Sequence, residues 1–186
     1  MMRMSDAGLL ATAHFEGLVL APYRDSGGVL TWGIGHTAAA GGIDPVKVDL
    51  AMPSDEGRAL RRILAQFRAD LAICETRVNR AVTVALEQHA FDALVDFDFN
   101  TGGIYRAMLT RAINARADNP SRHFLGWLKP PEIRDRREAE IAMFDHADYG
   151  TAPIPVYRTD GKGGLGPVLR RMERDALMAQ LRVRSE

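Results

Sequence analysis

Leu60, Ile63, Leu64, Phe67, Leu71, Cys74 and Val78 follow one another at intervals of three, one, three, four, three and four residues. That is the spacing of a single helical face, and it persists for about five turns. Pro53-Ser54-Asp55-Glu56 stands just upstream, with a proline suited to a first turn and side chains suited to capping. The spacing predicts one long helix that the rest of the chain must pack around. Leu86 to Phe99 predicts a second helix. Its apolar residues, among them Ala90, Phe91, Leu94, Val95, Phe97 and Phe99, cover much of its circumference, which is the pattern of a helix buried at the centre of a helical cluster. It stops at Asn100-Thr-Gly-Gly103. Shorter helices are expected near 105–116, 120–128 and 132–147, with Pro130 and Pro131 marking the start of the last.

The first fifty residues read differently. Ser5 and Asp6 can cap a helix that runs to about Gly17, with Leu9, Leu10, Ala13 and Phe15 on its apolar side. Gly17 suits the end of that helix and leaves Glu16 in its last turn. Pro22 to Arg24 predicts a short strand, Asp25-Ser-Gly-Gly28 a turn, and Val29 to Ile34 the returning strand. Residues 38–53 read as a loose Ala/Gly/Pro segment. At the other end, 148–167 reads as an irregular Gly/Pro-rich arm and 167–184 as a final helix, with Leu169, Met172, Ala176, Ala179 and Val183 along one side and Leu177 and Leu181 widening the stripe. Gly161-Lys-Gly163-Gly-Leu-Gly166 has the form of a dinucleotide-binding loop, but the 20 residues that follow are too few for the rest of such a unit, so it reads as a hinge. Tyr23-Arg-Asp-Ser-Gly-Gly and Tyr157-Arg-Thr-Asp-Gly echo each other weakly, as turns of shared composition do.

These elements give an α+β, mostly helical fold class in three stretches: 1–54 with the first helix and the hairpin, 55–147 with the long helix and the helical cluster, and 148–186 as an extension. A chain of 186 residues can bury a substantial core. The 24 basic and 24 acidic residues balance, though residues 1–60 carry a net −3 and 156–186 a net +3, a solvated basic face or a contact for an anionic polymer. No nucleic-acid partner is expected. Cys74 is the only cysteine, on the apolar stripe of the long helix, so no intrachain disulfide forms. No apolar run approaches the length of a membrane span, and Asp6, His14 and Glu16 break up the start of the chain as a secretory signal. The five histidines show no ligand spacing, so no metal and no cofactor is expected.

One run carries the chemistry: His14-Phe-Glu-Gly-Leu-Val-Leu-Ala-Pro-Tyr-Arg-Asp-Ser-Gly-Gly-Val-Leu-Thr-Trp-Gly-Ile-Gly-His-Thr37. It sets a glutamate and an aspartate on either side of a short strand. Glycosidic hydrolysis needs such a pair, one carboxyl to protonate the leaving oxygen and one to activate water or stabilise the sugar cation. Glu16 stands among Phe15, Leu18 and Val19, neighbours that favour a protonated carboxyl; Asp25 stands beside Arg24 at a turn with free N–H groups, neighbours that favour the ionised form. Thr31 offers a hydroxyl able to hold a water.

The run resembles the catalytic segment of the phage-type lysozymes, glycoside hydrolase family 24, the T-even-phage-like muramidases that serve as endolysins. That family's pattern is a Glu ending the first helix, an Asp at the hairpin, then a Thr and Gly-x-Gly-His, which here fall on Glu16, Asp25, Thr31, Gly33, Gly35 and His36. Phe91-Asp-Ala-Leu-Val-Asp-Phe-Asp-Phe-Asn-Thr-Gly102, Phe124-Leu-Gly-Trp127 and Arg136-Arg137-Glu138-Ala139-Glu140 resemble its later motifs, so the likeness covers roughly residues 6–147. It departs at Glu132-Ile133, where the family commonly has Gly-Leu, at Lys129-Pro-Pro131, and at Asp96 and Asp98; residues 148–186 have no counterpart in compact members.

The resemblance implies a lysozyme-like two-lobed fold with a small β-hairpin lobe, a long connecting helix, a helical lobe and a cleft between them. It implies a muramidase that cleaves the β-1,4 bond between N-acetylmuramic acid and N-acetylglucosamine, with Glu16, Asp25 and Thr31 catalytic and with Gly35, His36, Asn100, Gly102 and Arg137 as candidate substrate contacts. His36 reads first as a structural hydrogen-bonding group near the cleft; Asn100 is a helix cap or a saccharide contact, and the resemblance favours the cleft; Arg137 is equally an internal ion pair or a substrate contact. Peptidoglycan glycan strands are then the partner. A monomer without stable membrane insertion is expected, held in the host cytoplasm until a holin-like pore releases it to act on the wall in the periplasm. The rival readings are a non-catalytic peptidoglycan-binding module, and a lysozyme for local wall remodelling by a secretion or injection machine.

Overall fold

A computed structural model of the chain describes residues 1–25 and 27–182. The chain forms two compact units, and neither is one continuous stretch: the first takes Met1–Thr12 and Leu71–Gly150, the second Ala13–Asp70 and the chain from Thr151 onward. Helix α1 (Asp6–Glu16) and the long helix α2 (Glu56–Ala81) each run from one unit into the other. Both start as their sequences require. The Ser5 hydroxyl accepts the Gly8 N–H, and the Asp55 carboxylate accepts the Arg58 N–H, so orphan donors of each first turn are satisfied.

The first unit is helical. Its centre is α3 (Gln88–Thr101), in which every residue from Ala90 to Asp98 is buried. α5 (Arg134–His146, entered through a 3-10 turn at Pro131–Ile133) packs against it, and a 3-10 stretch at Pro120–Gly126 packs against α5 and against α4 (Met108–Asn114). Leu71, Val78, Leu109, Phe124 and Met143 are within 2 % of full burial and complete the core. Phe97 lies edge-on to Phe124 and to Trp127. The three aspartates of α3 are buried in partnership, not exposed as their charge alone suggests. Asp92 accepts from the Ser5 N–H and hydroxyl, Gln88 and the Tyr149 hydroxyl; Asp96 takes Arg136 at 2.7 Å; Asp98 takes Arg77 at 2.8 Å and the Ile104 N–H.

The second unit is built on a five-stranded sheet of order β3-β2-β1-β4-β5, from β1 (Leu18–Arg24), β2 (Leu30–Gly33), β3 (His36–Thr37), β4 (Ile154–Thr159) and β5 (Leu165–Met172). β1 and β2 are antiparallel, pairing Val19 with Gly33, Tyr23 with Thr31 and Arg24 with Leu30, with an irregularity between Val19 and Tyr23. Pro22, which has no N–H to give to a ladder, stands in that interval. β4 runs parallel to β1, pairing Leu18 with Val156 and Val19 with Tyr157, and β5 returns antiparallel to β4. Leu18, Trp32, Ile34, Ile63, Phe67, Ile154, Val156 and Leu177 form the core of this unit, each at most 1 % exposed.

The C-terminal segment differs from its sequence reading. In place of an irregular arm followed by a helix over 167–184, residues 154–172 form two strands, and α6 spans only Arg174–Arg182. Val183, placed on the apolar stripe of the expected helix, lies outside the described residues. Two physical reasons account for the change. Gly166 and Pro167 are poor helix residues, and Ile154-Pro-Val-Tyr is β-prone and meets the open edge of β1, a partner that local sequence does not reveal. The supposed hinge is a hairpin turn, in which the Asp160 carboxylate accepts the N–H groups of Lys162 and Gly164.

Candidate active site

Glu16, Asp25 and Thr31 all fall in the second unit. Glu16 is the half-buried last residue of α1. Gly17 ends the helix at φ 72°, in the left-handed region that glycine occupies at little cost, and returns its N–H to Ala13 O. The chain then enters β1 directly, so one sharp break joins the end of the helix to the strand that leads to Asp25.

Asp25 sits at the β1–β2 turn and closes it with its own side chain. Its Oδ1 accepts the N–H groups of Gly27 and Val29, both at 2.9 Å, and its backbone N–H donates to Val29 O. Both side-chain bonds go to one oxygen, so among the described residues Oδ2 receives no donor. Thr31, 4 % exposed, stands on β2 with its hydroxyl donating to Val29 O at 3.2 Å.

Tyr23 ties these groups together. It is paired with Thr31 across the strands and is 8 % exposed. Its hydroxyl is pushed up from 10.0 to about 12, first by burial, then by the negative charges of Glu16 and Asp25, and last by Tyr157. One phenol thus feels both carboxylates. The sequence reading did not single out Tyr23; the available signal was its place two residues before Asp25.

Gly35 lies in the turn between β2 and β3, and His36 is buried behind it. Its Nδ1 is 2.8 Å from Asp70 Oδ2 and its Nε2 is 2.6 Å from Ile43 O, so both ring nitrogens are engaged within the unit. Burial pushes the Asp70 carboxyl up, against the pull of Gln66 and His36. Among the described residues no cluster of three or more His, Cys, Asp or Glu side chains is placed to hold a metal ion.

Asn100, Gly102 and Arg137 belong to the first unit. Gly102 caps α3 at φ 58°, gives its N–H to Asp98 O, and accepts Arg77 Nη2 at 2.7 Å. Asn100 is exposed and lines a cavity of about 630 Å³ with Thr101, Leu125, Trp127, Lys129 and Ile133. Arg137 has 0 % exposure, so it reaches a ligand here only through its neighbours. It donates to Asn100 Oδ1 and, at 2.7 Å, to Glu140 Oε2, and stacks over Phe97. Burial and the charge of Asp96 push the Glu140 carboxyl well above the usual range, against the pull of Arg137 and Arg136. Trp127 and Lys129, which the sequence reading did not single out for this site, stand beside Asn100 in the cavity wall.

Residues 13–140 match the phage lysozyme family, a span that includes Glu16, Asp25, Thr31 and Arg137. The chain belongs to that family. Within it, the endolysin of Salmonella phage P22 is 30 % identical over 155 residues, covering 77 % of this chain and 99 % of the relative. Among solved structures, the endolysin from Escherichia coli O157:H7 phage FAHEc1 superposes with a TM-score of 0.65 at 27 % identity, covering 80 % of this chain and 97 % of that one. The muramidase domain of SpmX from Asticaccaulis excentricus gives a TM-score of 0.62 at 25 % identity, covering 78 % and 99 %. The fold is therefore the lysozyme fold of these endolysins, with helices dominant and one small sheet. The match ends at residue 140, before β4 and β5.

Proposed function

We propose that this protein is a muramidase that hydrolyses the β-1,4 bond between N-acetylmuramic acid and N-acetylglucosamine in peptidoglycan, as an endolysin. Glu16 protonates the leaving glycosidic oxygen. Asp25, with Oδ1 occupied by its own turn, presents Oδ2 to a water that Thr31 helps to hold. That water attacks from the opposite face of the sugar, and inversion is the course we favour over a covalent intermediate on Asp25. Gly35, Asn100 and Gly102 are assigned to binding the glycan, His36 to shaping the loop beside Gly35, and Arg137 to holding Asn100.

The observation that carries the reading is the family match over the segment that places Glu16, Asp25 and Thr31 in the spacing of the motif. No helix among the described residues is long and apolar enough to cross a membrane. We further propose a monomer that reaches the wall from the host cytoplasm through a holin-type pore.

The test is product chemistry on isolated peptidoglycan. Wild type is expected to release new reducing-end muramic acid, identified by mass spectrometry, and folded Glu16→Gln to release none. Proton NMR of the first-formed sugar distinguishes inversion from retention. Glycan strands left intact by wild type, in an assay where a control lysozyme works, would overturn the reading.

A further inference from the structure

The β4–β5 hairpin lies beyond the family match, yet it touches the catalytic segment at each end of β1. At the Glu16 end, the ring of Tyr157 occupies the place a side chain on residue 17 would take: a Cβ there would stand 2.5 Å from Tyr157 Cε2. One turn earlier in α1, His14 Nδ1 meets Pro153 O at 2.9 Å. At the Asp25 end, the Arg24 N–H donates to Gly163 O at 2.8 Å, so the turn of the second hairpin is bonded to the last residue of β1, next to Asp25. The two turns are built alike. In each, an aspartate Oδ1 accepts the N–H groups two and four residues on, and the aspartate N–H returns to the residue four on: Asp25 with Gly27 and Val29, Asp160 with Lys162 and Gly164.

A glutamate at the end of a helix and an aspartate at the tip of a hairpin are both at places where a backbone frays or bends. Bond cleavage between them tolerates little misplacement, since a shift of about 1 Å can lower a rate by roughly 10²-fold. We propose that the β4–β5 hairpin is a positioning element of the catalytic centre, in which Tyr157 fixes the last turn of α1 beneath Glu16 and the Gly163 carbonyl fixes the turn of Asp25. Tyr157 is thus a positioning residue, acting through Gly17 and Glu16. The assignment rests on the muramidase reading for what is positioned, but the contacts can be tested without it.

The experiment uses the full chain with Tyr157→Ala, Tyr157→Phe and Gly163→Val. Gly163 has φ 93° and an added Cβ there meets nothing within 4 Å, so valine disturbs the conformation of the turn without a clash and independently of Tyr157. Two readouts are taken: kcat and KM on solubilised peptidoglycan per folded molecule, and backbone hydrogen exchange across residues 14–17 and 24–29. The expected result is faster exchange in the first stretch for Tyr157→Ala and in the second for Gly163→Val, with kcat down about 10–100-fold and KM within about twofold. Tyr157→Phe, which keeps the ring over Gly17, should restore kcat to within about twofold of wild type. Unchanged exchange, or faster exchange with kcat intact, overturns the proposal. If Tyr157→Ala does not fold, Gly163→Val and Tyr157→Phe decide by the same criteria. Faster exchange in a protein whose wild type releases no reducing ends supports the positioning contacts and overturns the muramidase reading instead.

Discussion

The carboxyl carbon of Asp92 lies 2.7 Å from the point where a Cβ on Gly8 would stand. α1 and α3 therefore meet backbone against side chain, and the carboxylate cannot retreat because Ser5, Gln88 and Tyr149 all bond to it. Gly8→Val should overpack this contact and destabilise the protein by about 1–3 kcal/mol, read from urea unfolding. A variant as stable as wild type would mean that the helices separate freely.

Tyr23 gives a prediction at alkaline pH. Its folded value of about 12 exceeds the ordinary 10.0, so between these pH values the unfolded chain gives up a proton that the folded chain retains. Stability must fall as pH rises through that window, by roughly 2–3 kcal/mol from this group. Tyr23→Phe should remove that part of the decline. Thermal melts at pH 10 to 12 measure it, and equal slopes in the two proteins would refute it.

Asp25→Asn should separate folding from chemistry. An asparagine oxygen can still accept the N–H groups of Gly27 and Val29, so the turn survives. The melting temperature should stay close to that of wild type while kcat falls about 10²–10⁴-fold. A large loss of stability would show that the charge itself holds the turn.

Arg137 and Glu140 form a pair with no exposed surface. Arg137→Ala leaves a buried carboxyl short of a partner and should cost about 3–5 kcal/mol, whereas replacing both residues with methionine or leucine of similar volume should cost much less. Denaturant melts of the single and double variants decide it; equal losses would mean that packing over Phe97, not charge, dominates.

Truncation after Gly150 strips β1 of its parallel neighbour and removes Ile154, Val156 and Leu177 from the core. Each fully buried side chain of this kind contributes about 1.5–3 kcal/mol, so the fragment should be insoluble when expressed. A soluble, cooperatively melting fragment would contradict the packing seen here.

What the sequence made legible was local. The spacing from Leu60 to Val78 specifies α2 because a helix face repeats within a few residues, and Asp25-Ser-Gly-Gly28 specifies a turn because few residues tolerate its backbone. The run proposed to carry the chemistry stands out in the sequence for the same reason: Glu16, Asp25 and Thr31 lie close together in the chain. β4 and β5 were not, because β4 pairs with β1, more than a hundred residues earlier, and β5 pairs in turn with β4, while Leu169 and Met172 happen to mimic a helical spacing. The weak echo between the Tyr23 and Tyr157 segments was visible in sequence; that the second turn would be bonded to the end of β1 beside the first was not. His36 and Arg137 show the limit for single residues, since their roles depend on Asp70, Ile43, Asn100 and Glu140, none of which is a near neighbour on the same element apart from Glu140.

The parallel pairing of β1 with β4 also sets an order of events during synthesis. β1 leaves the ribosome early, but its second neighbour exists only after residue 159 has been made, when nearly the whole of the first unit is already available to fold. Until then the strand between Glu16 and Asp25 has an open edge. A polypeptide stopped short of that point carries Glu16, Asp25 and Thr31 but lacks the neighbour that covers the second edge of β1.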